Sequence, residues 1–124
     1  MVLIFGGAYQ GKLEYALAHY GNLSIYQCSG SSPSADLSND IVNSFHLLIL
    51  AQIRAGVDTI PFIENNLQAF SSKIIISDDI SCGIVPLSQE TRHWRETTGR
   101  SLAFISRHAD EVIRVFCGIG TRIK

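Results

Sequence analysis

The chain has 124 residues, 46% of them hydrophobic and 17% charged, and a formal net charge of −1. That length suits a single domain, residues 1–124, able to bury a sizeable core, and the near-neutral balance without clustered Lys or Arg excludes the electrostatic footprint of a nucleic-acid binder. No apolar run reaches the roughly 18–20 residues of a membrane span, the opening "MVLIFGG" has neither a basic leader nor a cleavage pattern, and the three cysteines lack metal spacing and read as reduced thiols, so a cytoplasmic protein without a membrane partner is expected.

"VLIF" (2–5) is an unbroken apolar run ending in a glycine pair, the pattern of a strand buried on both faces. From Gly11 to Tyr20, Leu13, Ala16, Leu17 and Tyr20 recur at helical spacing and Gly21-Asn22 stops the helix. "LSIYQC" (23–28) reads as a second strand and "SGSSPSADLSN" (29–39) as a Ser/Gly/Pro loop. A second helix is expected from about Asp40 to Ala55, capped by Ser38 or Asn39, stopped by Gly56 and striped by Val42, Phe45, Ile49 and Ile53. A third helix starts near Pro61. "KIIIS" (73–77) is a further buried strand. Ser88 to His108 is a long helix with Trp94, Thr98, Leu102 and Ile105 on one face, "EVIRVFCG" (111–118) is a strand, and "TRIK" is a short edge strand.

Strands alternating with helices predict an α/β sheet with helices on both faces, and in such sheets ligands bind at the C-terminal ends of the strands. Two polar segments fall there. The first, "GGAYQGKL", has the spacing Gly6-x-x-x-x-Gly11-Lys12 of a phosphate-binding loop between a strand and a helix. Small residues let backbone N–H groups converge on an anion at a helix N-terminus, and Lys12 would neutralise phosphate charge. Position 13, where a hydroxyl would reach magnesium, is Leu13, and leucine offers a hard cation no oxygen. The second segment is Asp78-Asp79 after "KIIIS"; it reads either as a metal anchor or water-polarising group, with one carboxylate facing the site, or as a turn aspartate pair. His19, His93 and His108 read as solvated, His46 as a satisfied, partly buried imidazole, and Cys28 as a buried thiol. The low charged fraction, against roughly 25% for soluble domains, leaves apolar surface to be covered between subunits and predicts a homo-oligomer.

"GGAYQGK" near the start, then "DDISCGIVP", "WRETTGR" and "ADEVIRVFCGIGTRIK", resemble the bifunctional adenosylcobinamide kinase / adenosylcobinamide-phosphate guanylyltransferase family of cobalamin biosynthesis, over roughly residues 1–28 and 73–124. The resemblance implies a P-loop (RecA-like) α/β fold with a mostly parallel sheet, commonly assembled as a homotrimer. It implies GTP or ATP held by Gly6, Gly7, Ala8, Tyr9, Gln10, Gly11, Lys12 and Leu13, with help from Cys28, Ser29 and Gly30. It further implies Mg2+ at Asp78 and Asp79, a catalytic Lys12 and Asp79, and a cobinamide as second partner. Beyond Leu13, the chain departs from the family in carrying Asp79 for its glutamate and Ser81 for a glycine, and in lacking the H-x-x-R-P segment of the guanylyl-accepting histidine. The expected function is therefore phosphoryl transfer from a nucleotide to the cobinamide hydroxyl, without the guanylyl step. The alternative is a family member that binds nucleotide or phosphate without catalysis, in a regulatory role.

Overall fold

A computed structural model describes residues 1–80 and 88–124. In chain order the elements are β1 (Val2–Gly6), α1 (Lys12–Tyr20), β2 (Ile25–Gln27), β3 (Ile41–Asn43), α2 (Phe45–Arg54), α3 (Thr59–Asn65), α4 (Leu67–Phe70), β4 (Ile74–Asp78), α5 (Gln89–His108), β5 (Glu111–Phe116) and β6 (Ile119–Arg122). They build one six-stranded sheet in the order β2-β3-β4-β1-β5-β6. All neighbours are parallel except β6, which turns back antiparallel on β5. The fold is the expected mostly parallel α/β sheet, consistent with a P-loop domain.

Alternation along the central strands divides the core. Leu3, Val42, Ile75 and Val112 point to the side of α2 and α5, where they meet Phe45, Leu48, Ile49, Leu102 and Ile105. Ile4, Ile41, Ile76, Ile113 and Val115 point the other way, towards Ala16 of α1. Helices on both faces are what strands with two apolar sides require. On α5 the expected stripe holds: Thr98, Leu102 and Ile105 are buried and Trp94 packs against the core. Ser88 caps that helix, its hydroxyl accepting from the Thr91 N–H. Among the described residues no single helix is long and apolar enough to cross a membrane.

The structure's main correction falls on the second helix. The helix expected from Asp40 begins only at Phe45, because Ile41–Asn43 form β3 between β2 and β4. The β-branched pair Ile41-Val42 is wholly buried and completes the sheet on the far side of β4, a tertiary demand that overrides helical spacing. The cap moves with it: Ser44, in the left-handed region at φ 58, precedes α2, while Ser38 instead donates to the Asp36 carboxylate. The second strand is shorter than expected, Ile25–Gln27, and the segment around Pro61 divides into α3 and α4.

Candidate functional site

The register of β1 on β4 pairs Gly6 with Asp78, so the glycine loop and the first aspartate leave the sheet side by side, about one strand spacing of 4.8 Å apart. Backbone contacts hold the loop's two ends. The Asp79 N–H donates to Gly6 O at 2.8 Å. From the other side, the turn between β5 and β6 clasps Gln10: the Cys117 N–H donates to Gln10 Oε1 at 2.6 Å and the Gly118 N–H to Gln10 O at 2.8 Å. A Cβ on Gly6 would run into the Val115 carbonyl oxygen, so this glycine is set by close strand approach. Gly11, at φ 83, starts α1 from the left-handed region that glycine favours. Gly7, Ala8 and Tyr9 are left exposed, so the loop's crest is open to a ligand.

Lys12 departs from the usual exposed lysine. It is only 8% exposed, and its ammonium donates to Gly7 O at 2.7 Å and meets Asp78 Oδ1 at 2.7 Å. A buried cation needs such partners. Asp78 is also held by His46: the Asp78 N–H donates to His46 Nδ1 at 3.0 Å, and His46 Nε2 lies 3.4 Å from Asp78 Oδ2. Burial keeps the His46 imidazole below its ordinary pKa; the Asp78 carboxylate pulls it upward and Lys12 pushes it down.

The other expected site residues lie as follows. Leu13 packs against the α1-side core with Ile4 and Ile76, which turns it into the sheet. Asp79 lines a cavity of about 160 Å³ with Leu3, Phe5, Gly99, Leu102, Ala103 and Ser106; the carboxylate that meets Lys12 is Asp78. Cys28, Ser29 and Gly30 follow β2, three strand spacings from β1, roughly 14 Å. Their hydrogen bonds run elsewhere: the Cys28 N–H donates to Asn43 O at 3.0 Å, and the Ser29 and Ser31 hydroxyls pair at 2.8 Å. Burial pushes the Cys28 thiol up to about 12, so it supplies no thiolate near neutral pH. Ser81 and Cys82, with the rest of the "SCGIVPL" stretch, lie outside the described residues. His19, His93 and His108 are exposed, as expected.

His46 is the member of this cluster that sequence reasoning did not bring to the site. Its ring is satisfied and buried, as expected of it, but the partner that satisfies it is the aspartate beside the glycine loop. Nothing in the sequence marked it: it stands in an apolar helical stretch, four residues after Val42.

Among the described residues the donor set does not assemble a protein-held magnesium site. Leu13 offers no oxygen, both Asp78 oxygens face cationic or N–H partners, and among the described residues no group of three His, Cys, Asp or Glu comes together. The glycine-rich crest, in contrast, lies exposed at the start of a nine-residue helix with an ammonium beside it, surroundings that suit an anion.

A profile described as cobinamide kinase / cobinamide phosphate guanyltransferase matches residues 47–123. The stretch includes residues 47–72, which the sequence motifs had left outside the resemblance, and stops short of the glycine loop. The bifunctional adenosylcobalamin biosynthesis protein CobU of Salmonella typhimurium is 35% identical over 75 residues, 60% of this chain and 41% of that protein. Its namesake from Escherichia coli is 37% identical over 51 residues, 41% of this chain and 28% of that protein. The chain thus spans about two-fifths or less of the length of the curated relatives it matches.

Proposed function

The chain belongs to the cobinamide kinase / cobinamide phosphate guanyltransferase family, and from that premise we propose that it binds the polyphosphate of ATP or GTP on residues 6–13 and acts in cobalamin biosynthesis as a kinase of the cobinamide hydroxyl. The observation that carries the proposal is the buried Lys12 ammonium beside a glycine loop whose crest, residues 7–9, is exposed. In phosphoryl transfer the protein mainly positions groups and neutralises charge. Backbone N–H groups of the loop would cradle the phosphates, and Lys12 would offset the charge on the transferred group. Asp79, beside its cavity, would take the proton of the acceptor hydroxyl, whose oxygen bonds to phosphorus as the bridging bond breaks and the nucleoside diphosphate leaves. A homo-oligomer belongs to the same proposal, and trimers are what the family resemblance implies. Its support is the exposed apolar side chains of Phe116, Ile119 and Ile123 around the β5–β6 hairpin.

Incubation with ATP or GTP and cobinamide, followed by mass spectrometry of the corrinoid, tests the catalytic part. The expected result is a phosphorylated product with the wild-type chain and none with Lys12→Ala. Unmodified cobinamide with intact nucleotide binding would instead favour a second reading, a non-catalytic nucleotide-binding or regulatory protein. The orientation of Leu13 into the core is the observation on the side of that reading.

A further inference from the structure

Lys12 has a counter-ion, and the counter-ion is itself held. Asp78 ends β4, and His46 grips it at two atoms, the main-chain N–H through Nδ1 and the carboxylate side through Nε2. The first contact fixes the tautomer. A ring nitrogen that accepts from a backbone N–H carries no proton, so the proton of the neutral ring sits on Nε2, the nitrogen that lies 3.4 Å from Asp78 Oδ2.

His46 is in turn fixed from behind. The Trp94 indole N–H donates to His46 O at 2.7 Å, and the two rings lie against each other with centroids 6.2 Å apart and planes 27° from parallel. The chain reaches this position through Ser44, a non-glycine residue at φ 58 that turns β3 directly into α2. A left-handed conformation at such a residue is uncommon and held by its surroundings. Here it puts the second residue of α2 opposite the end of β4. The Lys12–Asp78–His46–Trp94 series therefore joins α1, β4, α2 and α5 at the C-terminal edge of the sheet.

We propose that His46 is a positioning residue for Asp78, and that the carboxylate it holds is the resident counter-ion of Lys12, displaced when a polyphosphate binds. The inference rests on the reading of residues 6–13 as a phosphate site. Carboxylate and phosphate oxygens compete for one buried ammonium, and the competitor is pre-organised because it is anchored on the side away from the lysine. A lysine available only part of the time weakens the apparent affinity in proportion: one free about a tenth of the time makes binding roughly tenfold weaker. His46 touches no phosphate in this scheme; its effect on affinity passes through Asp78 alone.

The probe is inorganic tripolyphosphate, titrated calorimetrically in a metal-free buffer containing a chelator. The proteins are the wild type, Asp78→Asn, His46→Leu, His46→Gln and the Asp78→Asn/His46→Leu double variant, each checked for folding by thermal melting. Asp78→Asn is expected to tighten binding roughly tenfold. His46→Leu should tighten it by a smaller factor. His46→Gln, whose amide N–H can face Oδ2, should stay near the wild type. The deciding comparison is the double variant, which should match Asp78→Asn, because a positioning residue has no effect once the group it positions is gone. If His46→Leu does not fold, His46→Asn replaces it: its amide can take the Asp78 N–H but is too short to face Oδ2.

A His46 change that shifts affinity by the same factor with and without the Asp78 carboxylate would overturn the inference, as would an Asp78→Asn variant that binds no tighter than the wild type. Binding by the wild type with variants indistinguishable from it sinks the inference and leaves the phosphate site standing. Tripolyphosphate binding by none of the proteins would remove the phosphate site itself, and the inference with it.

Discussion

Leu13 occupies the position at which a phosphate loop that holds a metal needs an oxygen, and the structure gives its side chain to the α1-side core. The same stretch therefore keeps a lysine at the loop's end and lacks the hydroxyl that would meet magnesium. Leu13→Ser would restore the donor. It is expected to make nucleotide binding strengthen with magnesium, where the wild type should be nearly indifferent, and to cost about 1–2 kcal/mol of stability from lost packing. Calorimetry with and without the metal, beside urea denaturation, checks both. At this scale the sequence was informative where chemistry follows from spacing: Gly11-Lys12 between a strand and a helix could be read directly. It was silent on pairing. Nothing in "SDD" distinguishes the aspartate that meets Lys12 from its neighbour, because that depends on which face each side chain takes as the strand ends. His46 was illegible as a site residue for the same reason: its partner lies 32 positions away on another strand.

Among the elements, β1, α1, β4, α5 and β5 could be read from apolar runs and helical spacing, with ends a few residues off. The miss, β3, is instructive. Ile41 and Val42 precede a helix without a break, so a period near 3.6 continues through them. What makes them a strand is a place between β2 and β4 that only the assembled sheet supplies. The contact between the hairpin turn and the glycine loop was equally hidden. It depends on Gly6 lying under the Val115 carbonyl and on Gln10 bonding to Cys117 and Gly118. Gly6→Ala should therefore push β1 from β5 and destabilise the fold by about 1–3 kcal/mol, measured by urea unfolding. A loss near zero would mean that the two strands separate without cost and that the glycine is there for the loop alone.

For the whole molecule, the class of fold was legible and the strand order was not, since alternating strands and helices are compatible with several orders. The order observed puts β1 beside β4 near the middle of the sheet and brings the glycine loop, Asp78 and His46 to one edge, where ligands of such sheets bind. Residues 28–30, at the end of β2, are carried away from that edge's centre by the same order. The proposed function has this edge bind a nucleotide through its phosphates, with Lys12 as the cation. Its most direct test is calorimetric titration of the wild-type chain and Lys12→Ala with ATP and with GTP. Saturable binding of at least one nucleotide is expected, weakened roughly 10- to 150-fold in the variant by loss of a charged hydrogen-bonding partner of about 1.5–3 kcal/mol. Absence of binding to either nucleotide, or binding that Lys12→Ala leaves unchanged, would contradict it.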